Sequence, residues 1–294
     1  MQIAFLVLMF VLGATFGSFL CCQARRLRVR EERSSQNPKL ARPQHLGTRS
    51  ICLHCHRHLK WYDNLPIISY LVLRGKCRYC HRKIGRLELL SELGVATAFA
   101  LITARFLYTA HAIPITDPAI FPTIPLLNWA IFATTLLLTL SLAFLAIYDG
   151  AYGELPSFCL ILAAICAIAL VILRQQTSHT VPNTLTLFPG NPLSPTLSAL
   201  LSATLFGGLY LVLYLASKGK WVGDGDWFLA GIIGLALGHP FLALIAIFIA
   251  NLSATLLSAP SAIKRKNHQI YFGPYLVLAF VITATFSDFF ISMI

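Results

Sequence analysis

The amino-acid sequence predicts an all-α polytopic membrane protein with about eight transmembrane helices and a small polar domain inserted after the first helix. Of its 294 residues, 57% are apolar and only 12% are charged, whereas about a quarter of the residues in a soluble globular domain are charged. The apolar residues form blocks of roughly twenty, the length of helix that crosses about 30 Å of hydrocarbon. The composition therefore excludes a soluble enzyme, and the lack of two-residue alternation in these blocks argues against a transmembrane β-barrel.

The first apolar block covers residues 3–22 and predicts the first transmembrane helix, which forms a first domain of residues 1–22. No basic residue precedes the block, and four arginines follow it: Arg25, Arg26, Arg28 and Arg30. Basic residues are retained on the cytoplasmic side of a membrane, so we expect the N-terminus to lie outside. A cleaved secretory signal would carry its basic residues before the block, so we expect this helix to stay in the protein.

Seven further apolar blocks predict the remaining helices, at residues 89–110, 126–148, 156–173, 196–216, 228–238, 241–258 and 271–291. Alternating these spans places 21 of the 23 Lys and Arg on the cytoplasmic side and leaves Arg105 and Arg174 near the outer side. The block at 228–238 is short, and a kink at His239-Pro240 would reduce the count to seven spans. Four prolines within residues 179–195 predict an irregular outer loop.

The polar segment of residues 23–88 is the second predicted domain and carries two C-x-x-C pairs. Cys52 and Cys55 are separated from Cys77 and Cys80 by 21 residues. A domain of this size buries little apolar surface, and one zinc ion bound by four thiolates would supply the missing stability. We therefore predict a small cytoplasmic zinc-ribbon-like domain whose structural zinc is bound by all four cysteines.

Other interpretations of these cysteines are two disulfides or a redox pair. A reducing cytoplasm disfavours disulfides, and two matched C-x-x-C pairs rarely act separately. One nearby histidine could replace a cysteine as a ligand, from among His54, His56, His58 and His81. A basic zinc domain could also bind nucleic acid, but few aromatic residues are available to stack on bases, and we predict no nucleic-acid partner. The other four cysteines lie in predicted spans as packing residues: Cys21, Cys22, Cys159 and Cys166.

Two aspartates at the ends of apolar blocks are the candidate catalytic residues. The chain has only eleven acidic residues, and Asp149 ends one block while Asp226 opens another in the motif Gly223-Asp-Gly-Asp226. An acid beside hydrocarbon is costly and is by default a functional candidate. Two carboxylates brought close in a low-dielectric site cannot both ionise, so one keeps a proton while the other activates water. This is the chemistry of an aspartic protease.

Residue types alone leave other roles for these acids open. Asp226 could cap a helix, or the two aspartates could bind an ion in a transporter. Asp224 and Glu154 lie nearby and could be the working acids instead, although their loop positions favour solvation. The glycines at 223 and 225 would let the backbone bend sharply and let an extended substrate approach.

Several motifs, in order along most of the chain, resemble those of bacterial type IV prepilin leader peptidases, a family of membrane aspartyl proteases that can also be N-methyltransferases. The matching residues are Gly17-Ser-Phe-Leu20, Arg26-Leu27, the four cysteines, Trp61-Tyr-Asp-Asn-Leu-Pro66, Ile68-Ser-Tyr-Leu71, Arg74-Gly-Lys-Cys77, Asp149, Leu155-Pro156, Gly223-Asp-Gly-Asp226 and Phe272-Gly-Pro274. A lone G-x-G-D motif is weak, but so many matches in the same order are specific.

The resemblance implies cleavage of prepilins and pilin-like type II secretion subunits, after a short basic leader and before an apolar helix. Asp149 and Asp226 would be the catalytic pair of a peptidase domain at residues 89–294. The resemblance also implies N-methylation of the new N-terminus with S-adenosylmethionine, for which no binding residues are assigned. The expected location is the bacterial cytoplasmic (inner) membrane, in contact with its lipid, with the active site facing the cytoplasm.

The chain departs from the family pattern at four places. Cys21 stands where Asn is usual, the stretch at residues 84–88 is shorter, and Ser157 and Phe228 replace an acid and a lysine. The first two departures concern methyl transfer, and none involves the two aspartates. A peptidase without methyltransferase activity and a non-enzymatic assembly scaffold are therefore the alternatives.

Overall fold

The computed structural model describes residues 1–35, 51–52, 54–55, 57–111, 126–180, 194–219, 222–264 and 271–293. Within these ranges the regular secondary structure is helical, apart from two isolated β-bridges. The predicted all-α class is therefore confirmed. The chain divides into two compact units, residues 3–100 and residues 101–294, and helix α3 begins in the first unit and ends in the second. The predicted outer loop at 179–195 lies largely outside the described residues.

Ten α-helices and one 3-10 helix are described. The first unit contains α1 (Gln2–Ser35), a 3-10 helix (Trp61–Asn64), α2 (Ile68–Val72) and the start of α3 (Arg86–His111). The second unit contains α4 (Leu126–Tyr152), α5 (Ser157–Thr180), α6 (Pro195–Ser217), α7 (Asp226–Leu237), α8 (Pro240–Lys264), α9 (Gly273–Thr285) and α10 (Ser287–Ile291).

Eight apolar helices occupy the positions of the eight predicted spans, as expected for a polytopic protein. Six of them, α1, α3, α4, α5, α6 and α8, are long and apolar enough to cross a membrane, and α7 and α9 are shorter. The short sixth block forms a separate helix rather than half of a kinked one. Gly238 ends α7 in a left-handed conformation with φ 72°, and Pro240 opens α8, a position where its missing N–H has no cost.

Two helix boundaries differ from the predicted ones. Helix α1 continues to Ser35, thirteen residues beyond the end of its apolar block at Cys22, because residues 23–35 contain neither Gly nor Pro and are rich in the helix formers Arg, Glu and Gln. The block at 271–291 is divided at Phe286 between α9 and α10. Ser287 and Asp288 follow this break, and such side chains compete with helical hydrogen bonds.

The two arginines that the charge pattern leaves near the outer side are both buried in polar contacts. The guanidinium of Arg105 donates two hydrogen bonds to the Asp288 carboxylate, one of them 2.6 Å long. Arg174 Nη1 donates to the carbonyl oxygen of Ala236, in the last turn of α7, at 2.6 Å. A cation at a helix C-terminus is stabilised by the helix dipole, which explains how this arginine is accommodated among apolar helices.

In the first unit, α1 and α3 approach each other closely at two glycines. A Cβ atom added to Gly17 would lie 2.5 Å from the Ser91 carbonyl oxygen and 2.7 Å from the Glu92 Cα. One added to Gly13 would lie 2.8 Å from the Ala96 Cα. Small residues four apart let membrane helices pack backbone against backbone. This close contact fixes the position of Glu92 along the axis of α1.

Gly17→Ala is expected to lower the free energy of unfolding of the first unit. The new methyl group meets backbone atoms of α3, which cannot rotate away, so the helices must separate at a cost of about 1–3 kcal/mol. The matched control is Gly94→Ala, because a Cβ there meets nothing within 4 Å. Thermal unfolding in detergent should show a lower Tm for the first variant and an unchanged or higher Tm for the second; equal Tm values would contradict the packing described.

In the second unit, the short helix α7 lies at the centre of the packing. It contacts α5, α6, α8 and α9, while α4 packs on α5 and α9. The Ser202 hydroxyl donates to the Gly234 carbonyl oxygen at 2.6 Å, and a Cβ on Gly234 would lie 2.6 Å from the Ser202 carbonyl oxygen. Because α7 is surrounded on several sides, the aspartate that opens it is held in one position.

Candidate active site and metal centre

The two C-x-x-C pairs form two equivalent turns. The backbone N–H of Cys52 donates to the Arg57 carbonyl at 3.0 Å, and that of Cys77 donates to the Arg82 carbonyl at 2.9 Å. Each turn is closed by an antiparallel bridge, Ile51 with His58 and Lys76 with Lys83. Both turns thus present their cysteines in the same way, as a pair of metal knuckles requires.

The structure brings all four predicted cysteines into one cluster. The Sγ atoms of Cys52, Cys55, Cys77 and Cys80 lie within 4.8 Å of one another, and those of Cys52 and Cys80 are 3.9 Å apart. A tetrahedral zinc site with Zn–S bonds of about 2.3 Å has sulfur atoms about 3.8 Å apart. No disulfide joins these cysteines, so the donor set fits a zinc ion.

Of the four histidines near the cluster, three are described, and His54, His58 and His81 are all exposed, while His56 lies outside the described residues. The Arg82 backbone acts to lower the pKa of the Cys80 thiol, but partial burial and the neighbouring thiols prevail and raise this pKa to about 11.

An ion pair between buried Asp63 and exposed Arg78 supports the second cysteine turn. Asp63 Oδ1 accepts a hydrogen bond from Arg78 Nε at 2.7 Å, and its Oδ2 accepts one from the Lys60 N–H at 3.3 Å. This carboxylate raises the pKa of the Arg78 guanidinium. Arg78 also lies over the Tyr62 ring, with its Cζ 5.0 Å from the ring centroid. These contacts connect the 3-10 helix to the second knuckle.

Asp149 lies in the last turn of α4 and is 5% exposed. Its Oδ2 accepts a buried hydrogen bond from the Gly273 N–H at 2.8 Å. Gly273 is the first residue of α9, so the carboxylate meets the positive end of a helix dipole. A Cβ on Gly273 would lie only 2.7 Å from that oxygen, which explains why a glycine stands here.

Asp226 is the first residue of α7 and is 6% exposed. Its Oδ2 accepts a hydrogen bond from the Gly223 N–H at 2.9 Å, while its own N–H donates to the Gly223 carbonyl at 3.2 Å. The helix has no side-chain cap, so Asp226 does not have the capping role that residue type alone left open.

The glycines of the Gly-Asp-Gly-Asp motif differ from expectation in one respect. Neither Gly223 nor Gly225 has a positive φ angle, so a sharp left-handed bend is not their purpose. A Cβ on Gly225 would lie 2.6 Å from Leu155 Cδ1. The glycine is therefore needed because the loop packs against the segment that follows Asp149.

The two aspartates face a common region of the second unit. The charge of Asp226 acts on Asp149, and it also acts on Tyr210 of α6. Tyr210 is buried, accepts a hydrogen bond from Asn251 Nδ2 at 3.3 Å and packs on Phe272, with ring centroids 5.7 Å apart. In contrast, Asp224 and Glu154 are exposed. Both predicted aspartates are thus buried at helix ends, and the charge of one acts on the other.

Four polar groups of the two units could not be assigned from the sequence. Tyr210 and Asn251 lie inside apolar blocks where only their polarity distinguishes them, and the Gly273 amide is a backbone group that no residue type reveals. In the first unit, Glu92 is buried, and its Oε2 accepts a hydrogen bond from the Ile67 N–H at 2.6 Å. An acid six residues into an apolar helix was the available signal for Glu92.

The fold and the two sites define a polytopic helical membrane protein with a four-cysteine domain and a pair of buried carboxylates at helix ends. Residues 11–106 match the family model described as the bacterial peptidase A24 N-terminal domain. A prepilin leader peptidase/N-methyltransferase of Pseudomonas aeruginosa is 26% identical over 97% of this chain and 92% of its own length. The chain is thus similar along nearly its whole length to a bacterial prepilin leader peptidase/N-methyltransferase, and its first third matches the bacterial peptidase A24 N-terminal domain.

Other relatives match over shorter stretches. A Burkholderia pseudomallei protein of the same name is 35% identical over 34% of this chain and 37% of its own length. An Escherichia coli "type 4 prepilin-like proteins leader peptide-processing enzyme" is 45% identical over 18% of this chain and 20% of its own length. No solved structure matches the chain.

Proposed function

We propose that this protein removes the leader peptides of type IV prepilins and pilin-like type II secretion subunits, with Asp149 and Asp226 as its catalytic pair. The observation that carries the proposal is the pair itself: two buried carboxylates from different helix ends, each held by one backbone amide, with the charge of Asp226 acting on Asp149. The names of the relatives support prepilins as the substrate class.

In the proposed reaction the pair holds one proton, and the two acids titrate as a unit. The ionised carboxylate takes a proton from water, and the water oxygen bonds to the carbonyl carbon of the leader's last residue. The protonated carboxyl gives its proton to the carbonyl oxygen. When the tetrahedral intermediate collapses, the C–N bond breaks and the carboxyl that took the proton from water gives it to the leaving amine. A hydroxyl of the intermediate returns its proton to the other carboxylate, so the pair again holds one proton. No acyl-enzyme forms.

The position of the pair supports cleavage at the cytoplasmic membrane face. Asp149 and Asp226 lie at ends of α4 and α7 that adjoin two of the predicted cytoplasmic loops, residues 149–155 and 217–227. A prepilin leader is cationic and precedes an apolar helix, so its cleavage point would lie at this depth. The exposed acids Asp224 and Glu154 add negative charge that attracts such a leader. The protein would work as a multi-pass protein of the inner membrane.

The second proposed activity is N-methylation of the new N-terminus. Several relatives carry N-methyltransferase in their names. In this step the free amine nitrogen attacks the methyl group of S-adenosylmethionine, the S–CH3 bond breaks to leave S-adenosylhomocysteine, and the nitrogen loses a proton. The four cysteines would hold structural zinc, which stabilises the turns and takes no part in either reaction.

The test combines both activities in one assay. Purified, detergent-solubilised protein is incubated with a prepilin and radiolabelled S-adenosylmethionine, and leader loss and methyl incorporation are followed together. Cleavage with methylation is the expected result. Cleavage alone would favour the peptidase without methyl transfer, and neither activity would overturn the proposal in favour of a scaffold.

Gly273→Ala is expected to slow leader cleavage with little effect on membrane insertion. The added methyl group would lie 2.7 Å from Asp149 Oδ2, so it displaces the carboxylate from its amide donor. A displacement of about 1 Å in a catalytic group can cost on the order of 100-fold in rate. The initial rate of leader loss, compared at equal protein concentration, measures the effect.

Gly208→Ala is the matched control for this variant. It makes the same change within the second unit, where a Cβ meets nothing within 4 Å, and replacing a helical glycine stabilises a protein by about 0.5–1 kcal/mol. Its cleavage rate should equal that of the wild type. An unimpaired Gly273→Ala enzyme would show that the Gly273 amide does not position Asp149.

A further inference from the structure

The first unit carries an exposed apolar surface outside its long helices. We call it the apolar patch: Trp61, Leu65, Ile68, Leu71 and Val72, whose relative exposure runs from 38% to 78%. Three of its members belong to the five-residue helix α2, which has no buried residue. A small domain in water does not keep so many large apolar side chains exposed together unless they mark a contact surface.

The depth of the patch beside the membrane helices is fixed by a chain of short contacts. The N–H of Ile67, the residue before α2, donates to Glu92 Oε2 at 2.6 Å. The backbone of Glu92 in turn packs on Gly17 of α1. Gly17 lies five residues before the end of the apolar block at Cys22, about 7.5 Å inside it along the helix axis. The segment that carries the patch is therefore bonded to α3 at the level where α3 packs on the apolar block of α1.

An ion pair lies one helical turn from Glu92, where the polar parts of α1 and α3 meet. Arg25 donates to Glu88 Oε1, and Glu88 lies four residues before Glu92 on α3. Arg25 also follows the apolar block of α1. The patch thus begins next to the boundary between the polar and the apolar parts of these two helices, which is where a bilayer changes from headgroups to acyl chains.

The connection at this point is a strained turn rather than a loose loop. Ile67 has φ 61°, and the Ile68 N–H donates to the Pro66 carbonyl at 2.6 Å, which together form a γ-turn of the rare kind. A β-branched residue in this conformation is strained and persists only where its surroundings hold it. The hydrogen bond to Glu92 provides such a restraint.

The charge around the patch identifies its partner. Residues 51–88 contain eight Lys and Arg but only two acids, Asp63 and Glu88. Both acids are engaged, with Arg78 and Arg25 respectively. Basic side chains beside an exposed tryptophan and aliphatic residues are the composition of a surface that inserts into an anionic bilayer.

We propose that the apolar patch inserts into the headgroup and upper acyl region of an anionic bilayer and anchors the four-cysteine domain against the membrane surface. Trp61 would occupy the interface, where the indole ring is favoured, and Ile68, Leu71 and Val72 would contact acyl chains. The basic residues would face phosphate groups. This inference is independent of the proposed reaction, since it concerns the first unit alone.

The test measures lipid contact at Trp61 in the full-length protein. Wild type and Trp61→Phe are reconstituted into vesicles of phosphatidylethanolamine and phosphatidylglycerol, with and without lipids brominated near the headgroup end of the acyl chain. The other three tryptophans are common to both proteins, so the difference in emission reports Trp61. We expect brominated lipid to quench at least about half of this difference emission, as for an interfacial indole.

A pair of charge variants tests the rest of the patch. Leu71→Asp and Asn64→Asp each add one negative charge at an exposed position of the same domain, but only the first removes an apolar contact. Leu71→Asp should weaken the quenching of Trp61, and Asn64→Asp should leave it unchanged, with equal zinc content in both proteins to show that the domain is folded.

Two results would overturn the proposal. In one, aqueous iodide quenches the Trp61 emission and brominated lipid does not, which would place the patch in water. In the other, the Trp61 emission responds only when a prepilin is added, which would make the patch a docking surface for the apolar helix of a substrate. The comparison of wild type with Trp61→Phe gives these answers even if Leu71→Asp fails to fold.

Discussion

Asp149→Asn and Asp226→Asn are each expected to reduce leader cleavage by about 1,000-fold or more, the scale of a lost acid–base group. An amide can neither give nor take the shared proton, so one member alone cannot both activate water and protonate the carbonyl oxygen. Asparagine keeps the size of the side chain and an acceptor oxygen, so the hydrogen bonds from the Gly273 and Gly223 N–H groups can persist. Rates of leader loss from a purified prepilin measure the effect.

Asp224→Asn is the matched control, because it makes the same chemical change two residues from Asp226 at an exposed carboxylate. At saturating prepilin, where attraction of the leader no longer limits the rate, this variant should cleave at close to the wild-type rate. All three variants should insert into the membrane and retain zinc. If both buried-aspartate variants still processed prepilin normally, the assignment of the pair would be wrong. A loss confined to Asp224→Asn would move the catalytic role to that residue.

Cys77→Ser is expected to remove the bound zinc and to unfold the four-cysteine domain. Loss of one thiolate from a four-cysteine site weakens metal binding, and in small metal domains the binding free energy, about 10–16 kcal/mol in zinc-finger peptides, is the folding free energy. The Asp63–Arg78 ion pair also supports the second turn, by connecting it to the 3-10 helix. Zinc per protein chain by atomic absorption should fall from one to near zero, and limited proteolysis should cleave within residues 51–84.

Cys159→Ala serves as the control for this prediction, since that cysteine is also free but lies buried in α5, outside the cluster. It should keep one zinc ion and an intact four-cysteine domain. Because Asp149 and Asp226 both lie in the second unit, Cys77→Ser should retain leader cleavage. A full zinc content in Cys77→Ser would show that the metal is not held by this cluster.

Most of the fold could be predicted from local properties of the chain. The apolar blocks locate all eight apolar helices because an apolar helix must have a certain length to satisfy its backbone hydrogen bonds in hydrocarbon. The predicted helix boundaries were less accurate where helix propensity and hydropathy disagree. The arginine-rich extension of α1 is polar and therefore looked like the start of a loop, yet its residues favour helix, and Ser35 rather than Cys22 ends it.

The residues of the candidate sites could also be selected from local properties of the chain, but their roles could not be settled in that way. The spacing of Cys52, Cys55, Cys77 and Cys80 was enough to expect one cluster, because a C-x-x-C turn presents both sulfur atoms on one side and two such turns complete a tetrahedron. Asp149 and Asp226 could be selected because acids are rare beside apolar blocks. Their roles as a catalytic pair stay predictions that the variants above will test.

Other features depend on contacts between residues far apart in the chain. The Gly273 amide meets Asp149 across 124 positions, and Glu92 meets the Ile67 amide across 25, so neither partner is visible in a local pattern. Residue type and hydropathy act over one or two helical turns. They therefore determine where the helices lie in the chain, the positive charge of the polar segment and which residues can be metal ligands. Packing of the helices brings together backbone amides, buried acids and glycine contacts that are distant in the chain. The surroundings of each carboxylate are therefore determined by the tertiary structure and not by the local sequence.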